Sequence, residues 1–277
     1  MNQSKSYYTN LRLHAENKDI DFKVEVITQL GRAKKEIQDT VKQEVKMFFI
    51  EHWKDFGDDF FNHSLFDASW VLLLRFEGRL MAVSTVHKIR LHNKVFYNFK
   101  TEALAPSYHS FGVFERINQI LFTFAYIDNI VHQKSLYFNL IFSTPNLRII
   151  GNFAKNSSHI YPDPYKYDER KASMELPDEE VWKYVQAYNK VDYPPNLPLF
   201  KEACIVDNSM SEWPYICYDT SGFPYHKDKV VNDFGDHYLG YQEGKRRMVI
   251  MCAFISPWDV IRYIWKWMLR VIKNIFL

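Results

Sequence analysis

Cysteine is scarce in this chain of 277 residues, which has only Cys204, Cys217 and Cys252. No two of them form a C-x-x-C pair, so the usual metal knuckles and dithiol redox motifs are excluded. The first ten residues, MNQSKSYYTN, contain no apolar signal core. We therefore expect a reducing, cytoplasmic setting in which each cysteine is a small core residue rather than a nucleophile.

The chain also lacks an excess of charge of one sign and a long apolar run. A net charge of +2 gives no support for a nucleic-acid partner. No stretch of the body is apolar enough to span a bilayer, and there is no internal repeat or low-complexity segment. These absences favour an ordinary globular protein without nucleic acid or a membrane span.

Glycine is sparse as well, with 9 residues against 22 Phe and 18 Tyr. A core rich in aromatic rings explains much of this excess. The alternative is a site for a long apolar ligand, since such sites are lined mainly by apolar and aromatic side chains.

The spacing of apolar residues predicts an α/β fold. Strict alternation or a short unbroken apolar run indicates a strand, and recurrence at three and four residues indicates a helix. Strands are predicted at 22–30, 70–77, 80–91, 95–105, 135–144 and 246–255, and helices at 32–56, 113–128, 146–156 and 178–190. The run from 70 to 105 predicts a hairpin followed by a further strand.

This pattern divides the chain into five segments. Residues 1–21 are predicted to be an N-terminal extension without a regular element, and 22–157 a core. Residues 158–235 are predicted to be an insertion that covers a cleft, mediates assembly or recognises an acceptor. Residues 236–256 form the region of a closing strand, and 257–277 a C-terminal amphipathic helix.

The segment EALAPSYHSFG, at 102–112, joins a predicted strand to a predicted helix. Together with STPNLRII and the order of elements, it resembles the GNAT superfamily of N-acyltransferases over roughly 22–157 and the closing strand. The resemblance implies a GNAT-like mixed central sheet flanked by helices. It also implies a loop whose amides hold the pyrophosphate of coenzyme A.

Carried over position by position, the resemblance implies a set of donor-binding residues. The strand end supplies a backbone donor for the oxyanion, the loop and helix start hold phosphate, and an asparagine after the next strand contacts the pantetheine arm. These residues are Leu104, Ala105, His109, Gly112, Val113, Phe114, Arg116 and Asn146. No permanently bound cofactor is implied, because the donor is a co-substrate, either acyl-CoA or an acyl carrier protein.

Three positions depart from the family pattern. His109 stands where Gln or Arg is usual, and Phe114 replaces a small residue that lets phosphate approach. Phe153 stands where the family commonly has a tyrosine that protonates the departing thiolate, and phenylalanine cannot donate a proton. The alternative for the turn is that it only connects strand to helix, with Phe114 in the core.

Acyl transfer to an amine needs a base, and it is helped by an acid for the thiolate. Glu102 is the first candidate base and His87 the second. Ser143 and Tyr108 are candidates to replace the missing proton donor. The alternatives are a solvated or salt-bridged strand residue for Glu102 and a surface strand position for His87.

Asp233, Asp236, His237 and His226 gather near the closing strand. Carboxylates and imidazoles can bind metal, but this spacing fits no recognised set of ligands. Loops rich in aspartate and glycine are usually turns, so we expect no metal site.

The C-terminal segment PWDVIRYIWKWMLRVIKNIFL predicts an amphipathic helix. Its polar residues fall within one arc, and the rest of the surface carries tryptophan and aliphatic side chains. We expect the helix to lie on an anionic membrane surface as a peripheral anchor at the inner face. The alternative is a terminal helix that packs on its own domain or on a second subunit.

The first functional hypothesis is an N-acyltransferase that moves an acyl group from acyl-CoA or an acyl carrier protein to an amine, and the aromatic-rich body and the tail favour a long or lipid-related acyl group. The alternative is a catalytically degenerate protein of the same fold that binds or assembles, as Phe114 and Phe153 favour. A third is a membrane-associated binding protein that acts through its tail. A homo-oligomer is compatible with each.

Overall fold

A computed structural model describes the chain except for residues 1–3, 16–17, 53–55, 196, 208–224, 241–242, 244–246 and 266–277. The strands are β1 (Lys5–Ala15), β2 (Lys18–Thr28), β3 (Trp70–Phe76), β4 (Arg79–Leu91), β5 (Lys94–Leu104), β6 (Phe138–Thr144), β7 (Ile160–Tyr161), β8 (Leu199–Phe200), β9 (Ile205–Asp207) and β10 (Arg247–Ile255). The helices are α1 (Lys35–His52), α2 (Gly57–Phe61), α3 (Val113–Asp128), α4 (Leu147–Asn156), α5 (Glu179–Asp192) and α6 (Lys229–Phe234). The predicted mixed α/β class, a sheet flanked by helices, is confirmed.

The ten strands follow the order β1-β2-β3-β4-β5-β6-β10-β9-β8, with β7 paired to β10. Contacts divide the chain into two compact units, Met1–Ile89 with Tyr97–His132, and Arg90–Phe96 with Gln133–Leu277. The first unit holds β1 to β3 and most of β4 and β5, and the second holds β6 to β10 with the end of β4 and the start of β5. The predicted division into core, insertion and tail stays a prediction.

In the first unit, β1, β2, β3 and β4 pair antiparallel in sequence, with a bulge at Leu74/Arg75. The apolar face of α1 is Val41, Val45, Phe48 and Phe49, at the helical spacing of the sequence. These side chains share one buried cluster with residues of β2 to β5 and α2. Burial of this face is the main reason that a helix forms here.

The N-terminal extension differs from its prediction. Residues 5–15 form β1, which pairs with β2 over eleven residue pairs. Sequence reasoning missed this strand because the side chains from Lys5 to Asn10 are all exposed, and among its other described side chains only Leu11 and Leu13 are half-buried or buried. Two apolar residues near its end are too few to show the alternation that predicts a strand.

In the second unit, β10 pairs antiparallel with β6, β7 and β9. One side of this sheet packs on α4 and α6, through Phe142 and Met251 among others. On α5, Tyr184 packs against Phe96 and Phe254. The predicted insertion at 158–235 therefore contains β7, α5, β8, β9 and α6.

Two of the three cysteines lie among the described residues. Cys204 and Cys252 are buried and form no disulfide. Burial raises the pKa of the Cys252 thiol well above its usual range, which keeps it an unreactive thiol. Their prediction as core residues is confirmed, and Cys217 lies outside the described residues.

Candidate functional site

Glu102 lies near the end of β5 in the first unit and is half-buried. Burial raises the pKa of its carboxyl from 4.5 to about 8, against a smaller opposing effect of a hydrogen bond from Asn118 on α3. A carboxyl with such a pKa exists in both protonation states near neutral pH, as a general base must. The structure therefore gives Glu102 an environment unlike that of a solvated strand residue.

Asn118 was not found by sequence reasoning. Its amide donates to Glu102, while its own Oδ1 is buried and has no hydrogen-bond partner among the residues that the structure describes. An unsatisfied buried acceptor is costly, and a ligand or a water molecule that donates to it would relieve the cost. The available signal was a polar residue beside Ile117 on the apolar helix α3.

The end of β5 passes through a short 3-10 segment, Pro106–Phe111, into α3. Gly112 links the two with φ of 66°, in the left-handed region that glycine adopts without steric cost. Apart from the two residues next to it in the chain, no described residue has an atom within 4 Å of a β-carbon built on Gly112. The space beside the turn is therefore not filled by the ring of Phe114, which is half-buried.

The other residues predicted to bind the donor near the start of α3 lie in different environments from one another. Val113 is fully buried and belongs to the core. The half-buried Arg116 bonds through Nη1 to Gln119 Oε1 at 3.1 Å. The side chain of His109 lies outside the described set. The backbone at this helix start, rather than a cluster of side-chain cations, is what could meet an anion.

The strand end does not supply every donor that the resemblance implies. Leu104 and Ala105 are buried, and the N–H of Ala105 donates to the carbonyl of Met81 at 2.8 Å. This bond engages the amide expected to stabilise the oxyanion. Ala105 is therefore unsuited to that role in this conformation.

The other two catalytic candidates of this unit are packed in the interior. His87 is buried, not at the surface, and its Nε2 lies 3.2 Å from the carbonyl oxygen of Ser64. The half-buried Tyr108 stacks edge-on against Phe22, with ring centres 5.5 Å apart. Both environments suit structural residues, so Glu102 is the stronger candidate base.

Ser143 belongs to the second unit, where it bonds to the hydroxyls of Tyr188 and Tyr193. The Tyr188 hydroxyl donates to Asp192 Oδ2 at 2.8 Å. Burial raises the pKa of Tyr188 well above its usual value, so the phenol stays protonated. Because the Tyr188 hydroxyl gives its only proton to Asp192, it can only accept a hydrogen bond from Ser143. The hydrogen bonds therefore run from Ser143 through Tyr188 to the carboxylate.

Sequence reasoning missed these partners of Ser143. The signal available was the spacing of Tyr188 and Asp192, four residues apart on α5, which places them on one face of the helix.

Asn146 is the N-cap of α4, as predicted. Its side-chain oxygen accepts from the backbone N–H of Arg148 at 3.0 Å. Phe153 packs on Phe142 with ring centres 4.8 Å apart. Phe153 is therefore a packing residue, and the missing proton donor is not restored at this position.

The residues considered for metal have other partners. Asp233 pairs with Lys229 at 2.7 Å, and Asp236 accepts from the hydroxyl of Tyr225 at 2.8 Å. His226 is buried, and its Nδ1 accepts from the N–H of Asp228 at 3.0 Å. His237 contacts the ring of Tyr238. Within the described residues, no group of three or more His, Cys, Asp or Glu could hold a metal ion.

The tail is described as a helix over residues 257–265, and 266–277 lie outside the described residues. Its side chains Trp258, Ile261, Ile264 and Trp265 are exposed, with Trp258 73% exposed. Asp259 is buried, and its carboxylate accepts from Ser158 at 2.8 Å and from Ser256 at 2.7 Å. These bonds fix the start of the helix while its apolar side faces outward.

Comparison with known proteins gives distant structural similarity. No family model and no curated protein matches the chain. A GNAT family acetyltransferase from Elizabethkingia anophelis, solved with acetyl-CoA bound, is similar at 13% identity and a TM-score of 0.25. The match covers 44% of this chain and only 63% of that one.

The loading GNATL domain of CurA from Lyngbya majuscula is also similar. Its identity is 10% and its TM-score 0.34, over 77% of this chain and 92% of that domain. Such loose superpositions assign neither activity nor substrate. From β2 onward, the order in the described residues is strand, helices, hairpin, strand, helix, strand and helix, which is the order on which the sequence resemblance to the GNAT superfamily rests.

Proposed function

We propose that the chain is an N-acyltransferase that moves an acyl group from an acyl-thioester to an amine. The observation that carries the proposal is Glu102, a half-buried carboxyl whose pKa is raised to about 8. It lies near the end of β5, shortly before the open turn at Gly112, where the donor is expected from the sequence resemblance. Perturbed carboxyls of this kind are more common at functional sites than elsewhere.

The chemistry requires one base and one acid, and Glu102 can serve as both. The amine nitrogen attacks the thioester carbonyl carbon, its proton passes to Glu102, and the C–S bond breaks as the amide forms. The departing thiolate then takes the proton back from Glu102. A carboxyl of pKa about 8 is well matched to a thiol of pKa about 8.5. This return of the proton removes the need for a tyrosine at Phe153.

Asn118 suits the acceptor side of the same reaction. It holds Glu102 through its amide nitrogen, and a rotation of the side chain that opened its buried, unpaired Oδ1 would let this oxygen accept a second N–H from an amine bound to Glu102. A hydroxyl acceptor has only one proton to donate and would leave one of the two groups unpaired. This favours an amine over an alcohol.

The donor would be acyl-CoA or an acyl carrier protein. Its phosphates would meet the backbone amides at the start of α3, beside the open space at Gly112. Because Arg116 is engaged with Gln119, the site offers less available charge than a typical coenzyme A loop. This favours a carrier protein, which adds binding surface of its own, over free coenzyme A.

The transfer is proposed to take place at the inner face of a membrane, in the cytoplasm, with a long or lipid-related acyl group. The support is the tail helix, which is tied down by Asp259 and turns Trp258, Ile261 and Trp265 outward. Exposed tryptophans beside cations are typical of helices that lie in the membrane interface. Within the described part of the chain, no helix is both long and apolar enough to cross a membrane.

The activity is tested by incubating the full chain with acetyl, octanoyl and palmitoyl donors on coenzyme A or on acyl carrier protein, together with a panel of amines. Product is detected by mass spectrometry. We expect transfer by the wild type and at least a hundredfold loss in Glu102→Gln. Glu51→Gln, an exposed glutamate on α1, is the matched control. Failure of every donor, or full activity of Glu102→Gln, would contradict the proposal.

The membrane part has a separate test. Vesicles of phosphatidylcholine with phosphatidylglycerol should co-sediment the wild type but not the double variant Trp258→Asp with Ile261→Asp. Val191→Asp, which changes an exposed apolar residue on α5, should still bind. Equal sedimentation of all three proteins would exclude the tail helix as the membrane contact.

A catalytically degenerate binding or assembly protein is the second candidate. The observation in its favour is that the Ala105 amide is engaged by Met81 and that the partly buried Phe153 packs against the core. Thermal stabilisation by a donor without transfer to any amine would favour this candidate over the first.

A further inference from the structure

The outer edge of β1 is the longest open strand edge that the structure describes. β1 is the first strand of the sheet order, and its inner side pairs with β2 from Lys5 to Ala15 without a break in register. On the outer side, no strand of the described residues pairs with it. Alternate residues of an edge strand direct N–H and C=O groups outward, so the edge is a template for another strand.

The edge also lacks the devices that usually protect such a strand. β1 contains no proline and no bulge, and its charged residues are Lys5 and Arg12. Arg12 is neutralised by Asp21 at 2.7 Å. The opposite end of the sheet order is β8, which is only two residues long. Among the described strands, a long open edge of eleven residues therefore occurs at only one end of the sheet, the end formed by β1.

The two faces of β1 are distinct, which limits how a second strand can pair. Tyr7, Thr9 and Leu11 share the face on which the β2 partners Val26, Val24 and Phe22 are buried. Tyr8, Asn10 and Arg12 lie on the other face. A strand that pairs with β1 must therefore place its own residues on the corresponding face, since a shift of the register by one residue would move every side chain to the opposite face.

We propose that the outer edge of β1 pairs antiparallel with β1 of a second copy of this chain, about a two-fold axis at Thr9. This register places Thr9 opposite Thr9 and Tyr7 opposite Leu11 in each direction, an aromatic–aliphatic cross-strand pair. Ser6 then faces Arg12 and Lys5 faces Leu13, so the two cations of each strand never meet. The strand can thus pair with its own copy with the two faces matched and without opposing the cations.

A second copy fits the edge better than an unrelated peptide because β1 can pair with itself in this register. Isologous two-fold pairing is the commonest form of protein self-association. A single pair of strands buries little area, so we expect a dissociation constant near 10 µM rather than in the nanomolar range. The proposal does not depend on acyl transfer.

The first test is the solution mass of the full chain at about 10–100 µM by sedimentation equilibrium. The monomer is 33.2 kDa, so the proposal predicts a concentration-dependent shift toward twice that mass. Thr9→Lys places two ammonium groups opposite each other across the axis and should leave a monomer. Thr9→Val keeps a β-branched side chain and should leave the dimer intact. Equal melting temperatures of the two variants would show that both are folded.

The second test fixes the register. Thr9→Cys should form an intermolecular disulfide between the two copies of residue 9 under mild oxidation, whereas Asn10→Cys, on the other face, should form far less. A wild type that is monomeric at 100 µM, a dimer that survives Thr9→Lys, or equal cross-linking at 9 and 10 would overturn the proposal.

Discussion

Replacement of Glu102 by glutamine should change how stability depends on pH. In the folded protein burial raises the pKa of Glu102 from 4.5 to about 8. The folded state therefore holds this proton more tightly than the unfolded chain does. The contribution to stability is complete below about pH 4.5 and is lost as the pH rises through about 8.

The size of the loss follows from the two pKa values. One pKa unit corresponds to about 1.4 kcal/mol, so the largest possible effect is about 5 kcal/mol. Because Glu102 is only half-buried, solvent screens part of this, and about 2–3 kcal/mol is expected. Glutamine has the same shape and cannot ionise. Glu102→Gln should therefore differ least from the wild type near pH 5 and exceed its stability by this amount near pH 9.

The assay is urea unfolding, followed by tryptophan fluorescence, at pH 5, 7 and 9. The exposed-site variant Glu51→Gln controls for the loss of one charge and should differ from the wild type by the same small amount at each pH. A stability difference between Glu102→Gln and the wild type that does not grow with pH would refute the reasoning, because the carboxyl would then have an ordinary pKa.

Three further predictions concern local structure. Gly112→Ala should lower the free energy of unfolding by about 1–2 kcal/mol, because alanine is strained at the positive φ of this position although its β-carbon would meet no clash; thermal unfolding measures the loss. Tyr188→Phe should cost about 2 kcal/mol by removing the hydrogen bond to Asp192, and Tyr188→Leu, which also removes the ring, should cost more. Asn146→Ala should cost about 1 kcal/mol through loss of the cap on Arg148 N–H, whereas Asn146→Asp, which also caps, should cost little. A loss in Asn146→Asp as large as that in Asn146→Ala would place the role of Asn146 elsewhere.

The strongly patterned elements could be predicted from the sequence. Helix α3 was predicted at 113–128 and is found at Val113–Asp128, because its apolar residues recur at helical spacing and bury one face. Strand β10 was predicted at 246–255 and is found at Arg247–Ile255. Strand β1 could not be predicted, since its backbone pairing with β2 leaves no trace in the hydropathy of exposed side chains.

The candidate site was predictable only in part. Glu102 could be selected because the resemblance places it two residues before the strand end that is expected to meet the thioester. Its hydrogen bond to Asn118 depends on how α3 lies against β5, and local sequence does not carry that information. The engagement of the Ala105 amide by Met81 likewise arises from strand pairing, not from the motif.

The pH dependence of acyl transfer tests the central claim most directly. With a donor and amine that the wild type accepts, kcat/KM should rise with pH and level off above an apparent pKa of about 8, the value of Glu102. In Glu102→Gln the rate should be lower throughout, and this inflection should be missing. A wild-type profile with no inflection near 8, or the same inflection in Glu102→Gln, would show that Glu102 is not the base.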